Sequence, residues 1–190
     1  MRNPVRLKNL KLRFLPVLLA AVLGLVWLQP LPVARDLGLV LIAAGLLLRA
    51  WGAGHLVKRE QLTVSGPYAH LRHPLYAGTL WICTGFALVL GVPGLGLLAA
   101  TLVWFFASYF PHKERVESDR LEEIYGGAYA SYRARIRPLW PALRAPSLAG
   151  DMAGERLRWS AARYADNNEL GTLLGVASGI ALVLLRAANG

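Results

Sequence analysis

Residues 74–110 read PLYAGTLWICTGFALVLGVPGLGLLAATLVWFFASYF and contain no Lys, Arg, Asp or Glu. A helix needs about 20 apolar residues, and at least roughly 17, to cross the ~30 Å hydrocarbon core of a bilayer. The Pro and Gly residues of Gly91-Val-Pro-Gly94 favour a turn in the middle of the stretch. The sequence therefore predicts a hairpin of two membrane-spanning helices, residues 74–90 and 95–110, each slightly short for a bilayer.

Three further apolar runs lie outside this hairpin, at residues 14–31, 36–57 and 170–185. The composition agrees with them, because 55% hydrophobic residues and a mean hydropathy of +0.41 exceed what a soluble domain of this size needs for one core. We expect an all-α polytopic membrane bundle of about five transmembrane helices. Residues 1–57 would supply two retained N-terminal spans, residues 58–141 the central core, and residues 142–190 an amphipathic connector and a final span.

The cations are distributed unevenly between the two sides of this predicted bundle. Five Lys or Arg residues precede residue 14, three lie in residues 58–72 and ten in residues 113–163, whereas only Arg35 and Arg186 fall on the opposite side. By the positive-inside rule the N-terminus and both polar segments are cytoplasmic. We expect an integral protein of a bacterial inner membrane. The net charge of +10 is explained by this asymmetry and, without a DNA- or RNA-reading motif, does not predict a nucleic-acid partner.

The segment SGPYAHLRHPLYAG, residues 65–78, is the first candidate for chemistry. Its Gly-Pro favours a tight turn, and Pro74 suits the first turn of the next helix. Arg72 and His73 would then lie at a helix N-terminus, which favours an anion. Tyr68 and Tyr76 offer hydroxyls and aromatic faces that attract a sulfonium cation. The alternative is a simple interfacial belt of Tyr, His and Arg.

The segment ESDRLEEIYGGAYASYRARIRPLWP, residues 117–141, is the second candidate. Its periodicity predicts two short amphipathic helices separated by Gly126-Gly127. Glu117 would lie where the fourth span leaves the membrane, close to Arg72 and His73, and would suit an ammonium or ribose hydroxyls. The arginines of this segment would alternatively contact lipid phosphates.

Together the two segments resemble the isoprenylcysteine carboxyl methyltransferase and phospholipid methyltransferase superfamily, over residues 49–141. The shared motifs are Gly-Pro-Tyr, Arg-His-Pro-x-Tyr-x-Gly, and a Glu-led block ending in spaced tyrosines. The chain departs from the family in Glu117-Ser118, where the family has paired glutamates, in Tyr125-Gly126, where it has Phe-Gly, and in Ile136-Arg137-Pro138, where it has Val-Pro.

The resemblance implies S-adenosylmethionine as cofactor and no metal. The acceptor would be lipophilic, an isoprenylcysteine-like carboxylate or a lipid amine or carboxylate, and would enter from the bilayer. The implied cofactor-binding residues are Gly66, Pro67, Tyr68, Arg72, His73, Pro74, Tyr76, Gly78, Glu117, Tyr129 and Tyr132. The implied catalytic residues are Arg49, His73, Glu117 and Arg137, with Arg49 and Arg137 able to orient a carboxylate. Both arginines are equally compatible with anchoring at the interface.

Two other functions fit parts of the pattern. Membrane reductases of the sterol reductase type share Arg-His-Pro and Tyr but continue with Asn and Glu, which this chain lacks in Leu75-Tyr76-Ala77-Gly78-Thr79. A non-catalytic membrane scaffold is the other alternative. Gly171, Gly175 and Gly179 predict close helix packing, either within the chain or in a homodimer.

Overall fold

The computed structural model describes residues 32–57, 61–142, 157–167 and 169–189. Within these residues the chain is helical with irregular connections and has no strand, which confirms the all-helical prediction. The predicted span at residues 14–31 lies outside the described residues, so the number of five spans stays a prediction. The helices are α1 (Pro32–His55), α2 (Pro74–Leu90), α3 (Val92–Trp104), α4 (Phe110–Tyr125), α5 (Gly127–Arg135), α6 (Ala161–Asp166) and α7 (Glu169–Asn189), with a 3₁₀ turn at Gly66–Ala69 and a π-helical segment at Phe105–Tyr109.

Helices α3 and α4 join through the π-helical segment into one helix of 34 residues, Val92–Tyr125. At 1.5 Å per residue it is about 51 Å long, well beyond the hydrocarbon thickness of a bilayer. This helix and the segment Ala34–His55 are long and apolar enough to cross a membrane, and Pro74–Leu90 and Glu169–Leu185 are shorter apolar helices. The first of the two short helices predicted in residues 117–141 is therefore not separate but the C-terminal part of this helix, which passes through a π-helical turn and continues beyond Pro111.

The turn between α2 and α3 is shorter than the sequence predicts. Only Gly91 leaves the helical conformation, with φ of +71°, and α3 begins at Val92 with Pro93 in its first turn. Proline is well tolerated there because the first N–H groups of a helix have no intrahelical partner. In this turn only position 91 has a positive φ, and only there does the backbone conformation favour glycine.

Glycines set the close packing of α1 against α2. A Cβ at Gly38 would lie 2.6 Å from the carbonyl oxygen of Gly85, and one at Gly45 would lie 2.6 Å from that of Gly78. Both pairs are seven residues apart along their helices, so one small-residue face repeats every two turns. Gly78 therefore permits the close approach of α1 and α2. Ile42, Ile82 and Val176 form the buried core between α1, α2 and α7.

Residues 159–167 cover the C-terminal end of α1. Trp159 Nε1 donates to the carbonyl of Ala50 over 2.9 Å, and Arg163 Nε donates to that of Gly54 over 2.9 Å. Asn167 Nδ2 donates to the carbonyls of Ala53 (2.9 Å) and Leu56 (3.0 Å). The last carbonyls of a helix have no intrahelical donor, and Asn167 and Arg163 satisfy those of Ala53 and Gly54 in this way. The start of α7 is thereby held beside the start of α2.

The three glycines of α7 differ in whether another helix of the chain packs against them. A Cβ at Gly179 would lie 2.9 Å from Phe86, whereas nothing lies within 4 Å of the corresponding positions at Gly171 and Gly175. The homodimer predicted from these three glycines stays a prediction.

Candidate functional site

Backbone and side-chain hydrogen bonds join the two motif segments. The N–H groups of Arg72 and His73 donate to the carbonyls of Arg137 and Pro138, each over 2.9 Å. Arg72 Nε donates to the carbonyl of Ile136 over 3.0 Å. These bonds fix the turn before α2 against the segment after α5, so residues far apart in sequence form one site.

A cavity of about 440 Å³ lies between the two segments. Seven of the eleven predicted cofactor-binding residues line it: Tyr68, Arg72, His73, Tyr76, Glu117, Tyr129 and Tyr132. The other wall residues are Leu56, Val57, Gln61, Leu62, Thr63, Lys113, Val116, Arg120, Leu121, Ile124 and Tyr125. Its volume falls in the range of small-molecule and cofactor sites.

The other four predicted residues, Gly66, Pro67, Pro74 and Gly78, do not line the cavity but shape the backbone around it. Gly66 has φ of +60°, and a Cβ there would lie 2.6 Å from the His55 ring. Pro67 and Pro74 are fully buried. They begin the 3₁₀ turn and α2, which carry Tyr68 and Tyr76 to the cavity wall.

Glu114, on α4, joins the two residues at the start of α2. Its Oε1 lies 2.5 Å from Arg72 Nη1, an ion pair whose angle falls outside hydrogen-bond geometry. Its Oε2 hydrogen-bonds His73 Nε2. Burial opposes ionisation of Glu114, but the hydrogen bond to His73 and the charges of His73 and Arg72 outweigh it and lower the pKa of this carboxyl. The sequence analysis missed Glu114, although it lies one helical turn before Glu117.

Glu117 is the carboxylate that faces the cavity freely. Its Oε2 lies 4.0 Å from His73 Nδ1, and its side chain is half exposed. Because Nε2 of His73 is engaged by Glu114, Nδ1 is the ring nitrogen directed toward Glu117. Lys113 and Arg120, also missed from the sequence, add exposed cations to the same wall. The wall thus offers both acceptors for an ammonium or hydroxyls and donors for a carboxylate.

Buried tyrosines form the floor on the α5 side. Tyr132 Oη donates to the Tyr68 carbonyl over 2.8 Å, and Tyr129 Oη hydrogen-bonds Ser118 Oγ over 2.8 Å. Burial is the main cause of the raised pKa values of the Tyr68 and Tyr132 hydroxyls, so both stay neutral at physiological pH. Ser118, which replaces the family's second glutamate, is itself buried against Tyr129. A serine suits this position because a carboxylate would be buried there without a cation.

Aromatic rings close the cavity toward the apolar part of the long helix. The Tyr76 ring lies 5.5 Å from that of His73 and between 6.1 and 6.2 Å from those of Phe105, Tyr109 and Phe110. Several of these pairs are edge-to-face, the arrangement that aromatic quadrupoles favour. The π-helical segment supplies Phe105 and Tyr109 to this cluster.

The two arginines predicted to orient an acceptor carboxylate lie outside the cavity lining. The Arg137 side chain is exposed, and its contribution to the site is the backbone carbonyl that accepts from Arg72. Arg49 instead forms a bidentate pair with Glu169, the first residue of α7, through Nε (2.9 Å) and Nη2 (2.7 Å). Glu169 was not predicted from the sequence.

Comparison with known proteins supports the resemblance seen in the motifs. A family model described as phospholipid methyltransferase matches residues 40–128. The protein-S-isoprenylcysteine O-methyltransferases of Mus musculus and Homo sapiens are each 32% identical over 111 residues, which cover 52% of this chain and 38% of theirs. The cobalt-zinc-cadmium resistance protein CzcN of Cupriavidus metallidurans is 30% identical over 125 residues, 62% of this chain and 52% of its own.

The chain spans less than two fifths of the length of the two methyltransferases that it matches. No solved structure matches it. The matched residues 40–128 contain α1 except for its first turns, and all of α2, α3 and α4. They therefore contain the greater part of the cavity wall.

Proposed function

We propose that the chain is an integral membrane methyltransferase of the isoprenylcysteine and phospholipid methyltransferase superfamily, to which residues 40–128 are similar, and that it uses S-adenosylmethionine and acts on a lipophilic acceptor. The observation that carries the proposal is the single cavity of about 440 Å³ shared by the two motif segments. Four residues from the first segment and seven from the second line it together.

The residues of the cavity fit the cofactor's functional groups. Glu117 and His73 Nδ1, 4.0 Å apart, suit its ammonium or its ribose hydroxyls, and Lys113 and Arg120 suit its carboxylate. The tyrosine faces suit the positive sulfonium. When bound, the cofactor supplies a methyl group on a positively charged sulfur. The positive charge leaves the sulfur as the methyl group moves, so the chain's main tasks are to orient the reaction partners and exclude water.

The acceptor is proposed to reach the cavity from the bilayer. Leu56, Val57, Leu62, Val116 and Ile124 form an apolar part of the wall, and large apolar side chains such as Val103, Trp104 and Phe106 are exposed on the long helix. Exposed apolar surface of this extent favours contact with lipid. The C-terminal end of α1, the N-terminal end of α2 and helix α4 meet at the cavity, and from the predicted charge asymmetry we propose that the site lies at the cytoplasmic face of a bacterial inner membrane.

Cofactor binding to the purified protein in detergent tests the proposal. We expect labelled S-adenosylmethionine to bind and unlabelled NADPH to leave that binding unchanged. Glu117→Ala and His73→Ala should each weaken binding by roughly tenfold or more, because each removes a polar partner in a partly enclosed site. Glu123→Ala is the matched control, since Glu123 is exposed on the same helix and does not line the cavity.

Displacement of the label by NADPH would instead support a reductase. Failure of the wild-type protein to bind S-adenosylmethionine would contradict the proposal and leave the scaffold interpretation. Equal affinity for the wild type and both cavity variants would show that the cofactor binds elsewhere.

A further inference from the structure

Glu114 lies outside the cavity lining and holds two residues that belong to it. Arg72 and His73 line the cavity, whereas Glu114 does not. Glu114 Oε1 faces Arg72 Nη1 at 2.5 Å, and Oε2 hydrogen-bonds His73 Nε2. One mostly buried carboxylate therefore contacts both residues at the start of α2.

The contact with Glu114 determines which ring nitrogen of His73 carries a proton. The pKa of Glu114 is lowered in spite of its burial, because of its contacts with His73 and Arg72, and an ionised carboxylate can only accept hydrogen bonds. Nε2 must therefore donate, and in the neutral ring Nδ1 then holds the lone pair. The rings of Tyr76 and Phe110 lie 5.5 Å from the His73 ring and fix its orientation. His73 thus presents an acceptor, Nδ1, toward Glu117.

Nδ1 of His73 and Oε2 of Glu117 are spaced to share one donor group. They lie 4.0 Å apart. A nitrogen about 2.8 Å from both atoms would contact them at an angle of about 90°, close to the angle between two hydrogens of an ammonium group. A hydroxyl has only one hydrogen and cannot donate to both. The negative charge of Glu117 also favours a cation at this point.

Two cations on the same face of α4 match the other end of an amino acid. Lys113 lies one helical turn before Glu117 and Arg120 lies about one turn after it, so the three side chains share a face, and all three line the cavity. The methionine part of S-adenosylmethionine carries its ammonium and its carboxylate on one carbon. An ammonium held at Glu117 therefore brings the carboxylate beside Lys113 or Arg120.

We infer that Glu114 is a positioning residue for cofactor binding, which keeps the proton of His73 on Nε2 so that Nδ1 and Glu117 together accept the cofactor's ammonium. The inference rests on the proposed methyltransferase function. It adds to the site a residue that acts through His73 without lining the cavity.

Glu114→Gln is expected to reverse the proton position with little change of shape. Arg72 has donors only, so it faces the single carbonyl oxygen of the glutamine, and the amide N–H group then faces His73. Nε2 must accept from this amide, and the proton of the ring moves to Nδ1. The cavity loses the acceptor beside Glu117 and gains a donor in its place.

Nuclear magnetic resonance of the histidine ring nitrogens tests the proton position. The purified chain in detergent, isotopically labelled in its four histidines, is measured at about pH 8, above the ordinary pKa of histidine. Protonated and unprotonated ring nitrogens resonate far apart, and the His73 signals are identified by their absence in His73→Ala. We expect the proton on Nε2 in the wild type and in the control Glu123→Gln, and on Nδ1 in Glu114→Gln.

Ligand affinity tests the consequence for binding. The probes are S-adenosylhomocysteine, which keeps the ammonium and the carboxylate of the cofactor, and its analogue in which hydrogen replaces the amino group. The wild type and Glu123→Gln should bind the first probe about tenfold or more tightly than the second, and in Glu114→Gln this ratio should fall to within about twofold. A purely structural role of Glu114 would weaken the binding of both probes equally and leave the ratio unchanged.

The wild-type measurements decide the inference even if Glu114→Gln does not fold. Protonation of Nδ1 in the wild type, alone or together with Nε2, would overturn it. Equal wild-type affinity for the two probes would also overturn it and leave the methyltransferase function standing, as would a ratio that a folded Glu114→Gln keeps. Failure of the wild type to bind S-adenosylhomocysteine at all would instead contradict the proposed function, and the inference with it.

Discussion

At the scale of single residues, the site depends on how two carboxylates one turn apart on α4 divide their contacts. Glu114 is engaged by Arg72 and His73, whereas Glu117 is half exposed and faces the cavity. The sequence predicted Glu117 from the family motif. It could not predict Glu114, because its partners lie on another helix, some 40 positions earlier in the chain, and their contact depends on the packing of α2 against α4.

Glu114→Gln tests this division. The change leaves the charge of Arg72 without a partner at a mostly buried position, so we expect the free energy of unfolding to fall by about 1–3 kcal/mol. Thermal unfolding of the purified protein in detergent measures the change. Glu123→Gln, at an exposed position on the same helix, should leave the midpoint unchanged. An unaltered midpoint for Glu114→Gln would mean that the ion pair contributes nothing to stability.

At the scale of elements, glycine faces and helix ends decide the arrangement. The apolar runs predicted α1, α2, α3 and α7 closely, because hydrophobic length is a property of the local sequence. The prediction failed at residues 117–125, whose amphipathic pattern was interpreted as a short helix separate from the preceding span. The backbone instead continues through a π-helical turn, which no hydrophobic periodicity records. The covering of α1 by Trp159, Arg163 and Asn167 was likewise not predictable, since it is a contact between distant segments.

Gly45→Ala tests the close approach of α1 and α2. Its Cβ would lie 2.6 Å from the Gly78 carbonyl and 2.8 Å from Ile82, so the helices must separate at a cost of about 1–3 kcal/mol. Gly96→Ala is the control, because nothing lies within 4 Å of that position. Alanine is there expected to stabilise the helix by up to about 1 kcal/mol. The opposite order of unfolding midpoints for the two variants would contradict the packing described above.

At the scale of the whole molecule, charge and apolar length divide the chain into two ends. The C-terminal end of α1, the N-terminal end of α2 and helix α4 meet at the cavity, whereas the turn at Gly91 is at the other end of the α2–α3 hairpin. The sequence alone predicted this polarity from the count of Lys and Arg. It predicted the site as a region of contact but not the engagement of Arg49 by Glu169, which requires the position of α7.

Cysteine labelling tests the orientation. In a Cys83→Ala background, which removes the chain's single cysteine, Glu123→Cys should react with a membrane-impermeant maleimide only in inverted vesicles. Val92→Cys, 80% exposed at the hairpin turn, should react only in intact cells. The reverse pattern would place the cavity outside the cytoplasm, and labelling of both positions from one side would contradict a membrane-spanning hairpin.

In the proposed membrane arrangement, the helix Val92–Tyr125 also makes the cavity sensitive to the lipid around it. Its apolar half crosses the bilayer and its polar half holds Glu117, so the two halves tilt together as one stiff rod. A thinner or thicker bilayer changes the tilt of such a helix, and Glu117 then moves relative to His73, which is held on α2. The acyl-chain length of the surrounding lipid thus changes the distance between Glu117 and His73 in the proposed cofactor site.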